Sequence, residues 1–153
     1  MRVLLYLAVL AVIGGMAYIR LAPADPSRWH VSPLVGGQQT VDVRGLDSVH
    51  AVPGGARVEI LLEDAAPESV LAQLDAIAVS TPRTRRLAGS PSEGMITWVT
   101  RTAAFGFPDY TTAAARPEGE ATRLGIFARQ RFGSRDLGVN AARLEDWISR
   151  LEP

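Results

Sequence analysis

The sequence predicts an α+β protein carried on an N-terminal transmembrane helix, with an antiparallel sheet meander and two helices packed on one face of it. Three observations lead there. An uncharged apolar run opens the chain. Two later stretches carry apolar residues at helical spacing. Between them lie segments rich in β-branched and aromatic residues, separated by Gly/Pro/Ser turns.

The opening run, "VLLYLAVLAVIGGMAYI" at residues 3–19, holds no charge. As a helix it spans roughly 25 Å at about 1.5 Å per residue, the short end of a bilayer core of about 30 Å. Leu21 and Ala22 lengthen it, with Arg20 snorkelling toward head groups, and Tyr6 and Tyr18 suit the two interfacial belts. A cleaved signal peptide is the rival reading, because "APA" at residues 22–24 offers a small-x-small site. Arg20 stands between the apolar run and that site, and the run is long for a signal core. The expectation is therefore an uncleaved anchor over residues 1–22. Arg2 before the helix favours a cytoplasmic N-terminus. That implies a single-pass membrane protein with its soluble domain outside the cytoplasm.

Residues 23–56 read as a Pro/Gly-rich tether with short strands. In "APADPSRWHVSPL" each proline disfavours helix at the residue before it, so no regular helix is expected there. Trp29 either lies at the membrane surface or caps the domain. "VGGQQTVDVRGLDSVHAVPGG" alternates weakly and reads as short strands or loop.

Residues 57–153 form the expected α+β domain. "RVEILLE" is its first clear strand. In "PESVLAQLDAIAVS", Pro67 fits the first helical position and Glu68 the first turn. Val70, Leu71, Leu74, Ile77 and Ala78 make the apolar stripe, and Thr81-Pro82 ends the helix. "RTRRLAG", "MITWVTRTA", "DYTTAAA" and "TRLGIFARQRF" follow as strands, with "SPSEG", "AFGFP" and "RPEGEA" as the turns. In the last strand Leu124, Ile126, Ala128 and Phe132 share one face, and Phe127, Arg129 and Arg131 the other. The closing "NAARLEDWISRL" places Leu144, Trp147, Ile148 and Leu151 on one helical stripe. Neither amphipathic helix can bury its stripe alone, so the two share one sheet face.

Composition removes several chemistries. All basic residues are Arg, which excludes a Schiff-base lysine, a P-loop lysine and a Ser-x-x-Lys pair. Cys is absent, and with it thiol nucleophiles, thiolate metal sites and disulfides. His30 and His50 have no partner at metal-ligand spacing. Sixteen basic and sixteen acidic residues balance, so charge gives no reason for a nucleic-acid partner. No Gly-x-Ser-x-Gly occurs, and Ser90 and Ser92 fall in a turn. No cofactor or metal is expected.

Two clusters remain as candidates. Arg83, Arg85 and Arg86 form the densest basic group and either meet anionic head groups or line a solvated strand end. The second is "RFGSRDLGVN", residues 131–140. Asn140 is expected to cap the last helix, with Val139 and Leu144 as a hydrophobic staple. Gly133 and Gly138 supply positive φ. Arg129, Arg131 and Asp136 crowd this turn, and Asp109 at the start of the preceding strand reaches either arginine, depending on hairpin register. Asp109, Arg129, Arg131, Asp136 and Asn140 thus form either a network locking sheet to helix or an anion-binding notch at the helix start.

"GFPDYTT" followed by "RFGSRDLGVNAARLEDW" resembles the signature of the domain of unknown function 1499 family. The resemblance covers roughly residues 66–151, and "TPRTRRLAGSPSEGMITWVTR" is similar to that family's bacterial membrane-anchored branch. It highlights Gly106, Phe107, Asp109, Arg131, Gly133, Asp136, Leu137, Gly138, Val139 and Asn140. Ala128, Gln130 and Arg135 stand where many relatives carry serines. The resemblance transfers no activity.

The leading expectation is a non-enzymatic, membrane-anchored interaction or accessory module of the cell envelope, its partner a protein or a lipid. The alternatives are a small-ligand or lipid-binding domain and a hydrolase using Asp109 or Asp136.

Overall fold

The computed structural model describes residues 1–34, 48–133 and 135–151. The elements run α1 (Arg2–Leu21), α2 (Pro26–Trp29), β1 (His50–Val52), β2 (Gly55–Leu62), α3 (Pro67–Ser80), β3 (Thr84–Ser90), β4 (Met95–Arg101), β5 (Pro108–Glu118), β6 (Ala121–Gln130) and α4 (Val139–Ser149). Most of the weakly alternating stretch before β1, residues 35–47, lies outside the described residues.

All six strands form one antiparallel sheet in the order β1-β2-β6-β5-β4-β3. The expected meander is β3 to β6. β2 then pairs along the free edge of β6, so β6 is central and buried on both sides. β5 runs on to Glu118, two residues beyond the Arg116 where the turn was expected, and Gly119 (φ 65°) reverses the chain.

One face of the sheet carries α3 and α4, as expected for this α+β class. α3 packs over β3, β4 and β5, and α4 over β2 and β6. Leu71, Leu74, Leu144 and Trp147 meet Val58, Ile96, Trp98, Leu124 and Ile126 there, every one of them almost wholly buried. Trp98 and Trp147 pack edge to face with centroids 5.5 Å apart. Asp75, on the buried side of α3, accepts from Trp98 Nε1 at 2.8 Å and pairs with Arg86 of β3. That bond holds the Arg86 guanidinium above its ordinary pKa.

The second face is covered by the segment expected to be a loose tether. Trp29 stacks on Tyr110 with centroids 3.9 Å apart and planes 8° from parallel. The Trp29 carbonyl accepts from Thr112 Oγ1 at 3.0 Å and from Arg129 Nη2 at 2.6 Å. His30 Nδ1 bonds Thr97 Oγ1 at 2.9 Å, and Arg57 Nη2 donates to the Pro33 carbonyl at 3.1 Å. Gly125 of β6 lets this strap lie close, because a Cβ there would sit 2.6 Å from Leu34 Cδ2. The segment also holds a helical turn, contrary to the sequence reading. Asp25 accepts from the Ser27 amide, and Pro26 occupies the first helical position, where its missing N–H costs nothing. Trp29 therefore caps the sheet.

α1 is 20 residues long and uncovered by the rest of the chain, with mean hydropathy 2.0 over its core. Its length and composition fit a membrane span or a signal sequence.

Candidate functional site

The β5–β6 ladder sets the geometry of the "RFGSRDLGVN" region. Asp109 is the ladder partner of Gln130, between Arg129 and Arg131. Strand side chains alternate, so Asp109 shares Gln130's face, and the two flanking arginines project to the opposite one. Asp109 therefore meets neither arginine. Its partner is Arg143 of α4, with Nη2 3.1 Å from Oδ2 and side chains 8% and 9% exposed respectively.

The turn before α4 aims Arg143 at this spot. Asp136 accepts from the amides of Gly138 and Asn140, both at 3.2 Å, and so satisfies two donors of the first helical turn. Gly138 (φ 80°) is the N-cap residue, and α4 starts at Val139. Asn140 thus sits inside the first turn instead of capping it, and the Val139–Leu144 staple does not apply. Its Oδ1 accepts from Arg143 Nη1 at 2.6 Å, which fixes the guanidinium between Asn140 and Asp109. Burial holds the Asp109 carboxyl above its ordinary pKa. Arg143 opposes that shift and the charge of Asp136 adds to it.

Beside this pair is an open pocket of about 410 Å³. Phe107, Phe132, Leu137 and Val139 give it an apolar lining, and Thr102, Asp109, Gln130, Arg135 and Asp136 a polar one. Gln130 Nε2, in its wall, is buried without a hydrogen-bond partner. Thr111 Oγ1, two residues along β5 from Asp109, and Asn140 Nδ2, beside Arg143, are likewise buried and unpartnered. Buried polar atoms are normally satisfied, so the unpartnered Gln130 amide in the pocket wall is a place where a water or a ligand can complete the bonding.

The pocket lies at the end of the sheet where α1 arrives. Tyr18 meets Phe132 edge-on at 6.3 Å, and Phe132, Phe107 and Phe105 continue as a chain of rings. Arg101 Nη1 donates to the Gly106 carbonyl at 2.9 Å and to that of Ile19 at 3.4 Å. Phe105, Leu137 and Val139 are 53%, 90% and 49% exposed at this same end. Leu137 holds a left-handed φ of 53°, an uncommon conformation for a non-glycine residue, with its side chain in the open.

The residues singled out in the sequence are thus divided by the sheet. Asp109, Asp136 and Asn140 gather on the helix side. Arg129 and Arg131 lie on the strap side, where Arg131 Nη1 donates to the Pro23 carbonyl at 2.6 Å and reaches the Tyr110 hydroxyl at 3.5 Å. The arginine cluster divides too. Arg83 bonds the Arg101 carbonyl at the α1 end of the sheet, Arg85 is exposed, and Arg86 is tied to Asp75 of α3 with its side chain 43% exposed. Arg143 escaped the sequence reading. Its signal was its place four residues before Trp147, on the edge of the buried stripe, where an arginine needs a buried partner. Among the described residues no group of three His, Asp or Glu side chains could hold a metal ion.

No curated protein matches this chain. The crystal structure of DR_A0006 from Deinococcus radiodurans is similar at 15% identity over 70% of each chain, with a TM-score of 0.28, too low to carry a structural argument. The family described as "Protein of unknown function (DUF1499)" matches residues 36–151, which include the whole sheet, α3 and the Asp109–Arg143 site. The chain belongs to the DUF1499 family.

Proposed function

We propose that this protein is a membrane-anchored, non-catalytic binding domain of the bacterial envelope, whose pocket takes an amphipathic molecule from the adjoining bilayer. One observation carries the reading. An apolar-walled pocket with an unpartnered buried amide opens at the end of the domain where the apolar helix arrives. A volume of about 410 Å³ suits an acyl chain segment or a compact lipid moiety. The orphan amide of Gln130 suits an acceptor oxygen such as an ester carbonyl next to that chain. Phe105, Leu137 and Val139 are then the residues that dip into the membrane surface, and Arg83 stands at the same level to meet anionic head groups.

An uncleaved anchor fits this arrangement. Cleavage after Ala24 would remove Ala22, which is buried, and Pro23, whose carbonyl Arg131 holds. With Arg2 kept in the cytoplasm, the domain lies in the periplasm. The hydrolase reading has less support, because Asp109 is engaged by Arg143 and Asp136 by two backbone amides.

The test is native mass spectrometry of the full chain released from its own membranes in a maltoside detergent. The wild type should retain an acyl-bearing molecule. Leu137→Asp and Gln130→Ala should lose it while keeping the wild-type circular dichroism spectrum. A wild type that carries nothing, or variants that carry the same adduct, would sink the proposal.

A further inference from the structure

On the strap side of the sheet, a recess of about 380 Å³ lies between the strap and strands β2 and β6. Arg28 and Ser32 of the strap and Arg57, Phe127 and Arg129 of the sheet line it. The guanidinium carbons of Arg129 and Arg57 stand 4.9 and 5.9 Å from the Phe127 ring centroid. Those of Arg28 and Arg129 stand 5.1 and 5.4 Å from the Trp29 centroid. Two aromatic rings thus hold three cations at one place.

Among the described residues these charges have little neutralisation. Among the described residues, no carboxylate pairs with Arg28 or Arg129. Arg57 has a long contact of 3.8 Å to Glu59, but that carboxylate is also held by Arg123 at 3.2 Å. Arg129 uses its hydrogen-bonding capacity on the Trp29 carbonyl and Arg57 on the Pro33 carbonyl, one bond each, which leaves most of their donors over. Burial pushes the Arg129 guanidinium below its ordinary pKa, and no nearby acid opposes that shift. A half-buried cation without a counter-charge is costly, and an incoming anion removes the cost.

We infer that this recess is a binding site for a phosphate-type oxyanion, clamped between Arg28, Arg57 and Arg129. Planar guanidinium forks match the oxygens of phosphate in pairs, and rings behind them keep the forks in place. The site is separate from the amphiphile pocket, on the other face of the sheet, and stands or falls independently of it. Two residues beyond Arg129, Arg131 bonds Pro23 just after α1. The recess is therefore about 7 Å of strand from the anchor end, within reach of lipid head groups as well as of soluble phosphate esters.

The experiment uses the full chain in maltoside micelles, which carry no phosphate. Inorganic phosphate and pyrophosphate are titrated in by calorimetry, and in a second arm phosphatidylglycerol is doped into the micelles. Saturable binding is expected in at least one arm, weakened about tenfold or more in Arg28→Gln/Arg57→Gln and weakened by added salt. Binding of the free ions assigns a soluble ligand, and binding of the doped lipid alone assigns a head group. If the double variant melts early, Arg28→Gln alone carries the test, because the Arg28 side chain makes no hydrogen bond among the described residues. Absence of binding in both arms, or undiminished binding by a folded variant, would overturn the inference.

Discussion

Removing the Arg143 guanidinium tests the Asp109 site most directly. Arg143→Met keeps most of the side chain's volume and takes away the donors to Asp109 Oδ2 and Asn140 Oδ1. It strands a carboxylate that is only 8% exposed. Breaking a buried pair from one side costs about 3–5 kcal/mol. The penalty at neutral pH has a ceiling, because the carboxyl can take up a proton instead. That costs about 1.36 kcal/mol for each pH unit above an unfolded pKa of about 3.9, roughly 4 kcal/mol at pH 7. A loss of about 3 kcal/mol at pH 7 is therefore expected. The sign with pH follows from burial. The Asp109 carboxyl is already raised in the folded wild type, so between its unfolded and folded pKa values the native state binds the extra proton. Its contribution to stability is greatest below the unfolded value and declines as pH rises through the folded one. In Arg143→Met that window widens upward, so most of the loss should vanish near pH 4. Urea unfolding of the full chain in maltoside, followed by near-ultraviolet circular dichroism of Trp98 and Trp147, measures it. Adding Asp109→Asn should restore most of the stability at pH 7. A loss below about 1 kcal/mol, or one independent of pH, would refute a buried Asp109–Arg143 pair.

Three further substitutions probe the scaffold around the site. Asp75→Asn weakens the link from α3 to Arg86 and to Trp98 Nε1, and should cost about 2 kcal/mol in the same unfolding assay. Asp136→Ala removes the acceptor of two α4 amides and should cost about 1 kcal/mol, with slower proteolysis of that turn than of wild type counting against a capping role. Gly125→Ala pushes a Cβ against Leu34 and should cost about 1 kcal/mol. Most of that loss should disappear in a Leu34→Ala background if the strap lies where described.

The fold was legible because its signals are local. The stripe Val70, Leu71, Leu74, Ile77, Ala78 and the Gly/Pro turns between strands each act over a few residues, and their order fixes two helices on one face. The strap was not legible, since nothing within 23–34 shows that Tyr110, Thr112 and Arg129 wait some eighty to a hundred residues later. Prolines there argued correctly against a long helix, yet Asp25 and Pro26 still start a short one. The candidate site was half legible. Asp109 and Asp136 do line one pocket, but the register decided which arginine answers Asp109. Pairing with Gln130 places it on the opposite face of the sheet from Arg129 and Arg131, so a one-residue shift would have given the expected network. Arg143 was hidden because an arginine in a helix ordinarily faces solvent.

The strap also sets what each N-terminal truncation costs the fold. A chain that begins at Asp25, as signal cleavage would leave it, keeps Trp29 on Tyr110, both bonds to the Trp29 carbonyl and the His30–Thr97 bond. It loses the burial of Ala22 and the Arg131–Pro23 bond, together worth about 1–2 kcal/mol. A chain that begins at Val35 loses the cover that residues 25–34 give the second face. Trp29 alone contributes about 3 kcal/mol, and Tyr110 and Val99, now almost wholly buried, would face water. The two truncations should therefore behave differently. The first melts slightly below the full chain and stays monomeric. The second loses about 4 kcal/mol or more and self-associates through its uncovered sheet face. Unfolding and light scattering of the two truncated proteins measure both effects. Equal stability of the two would mean that residues 25–34 hang free. In that case the basic recess would lose one wall, and the link between anchor and sheet would be a plain tether.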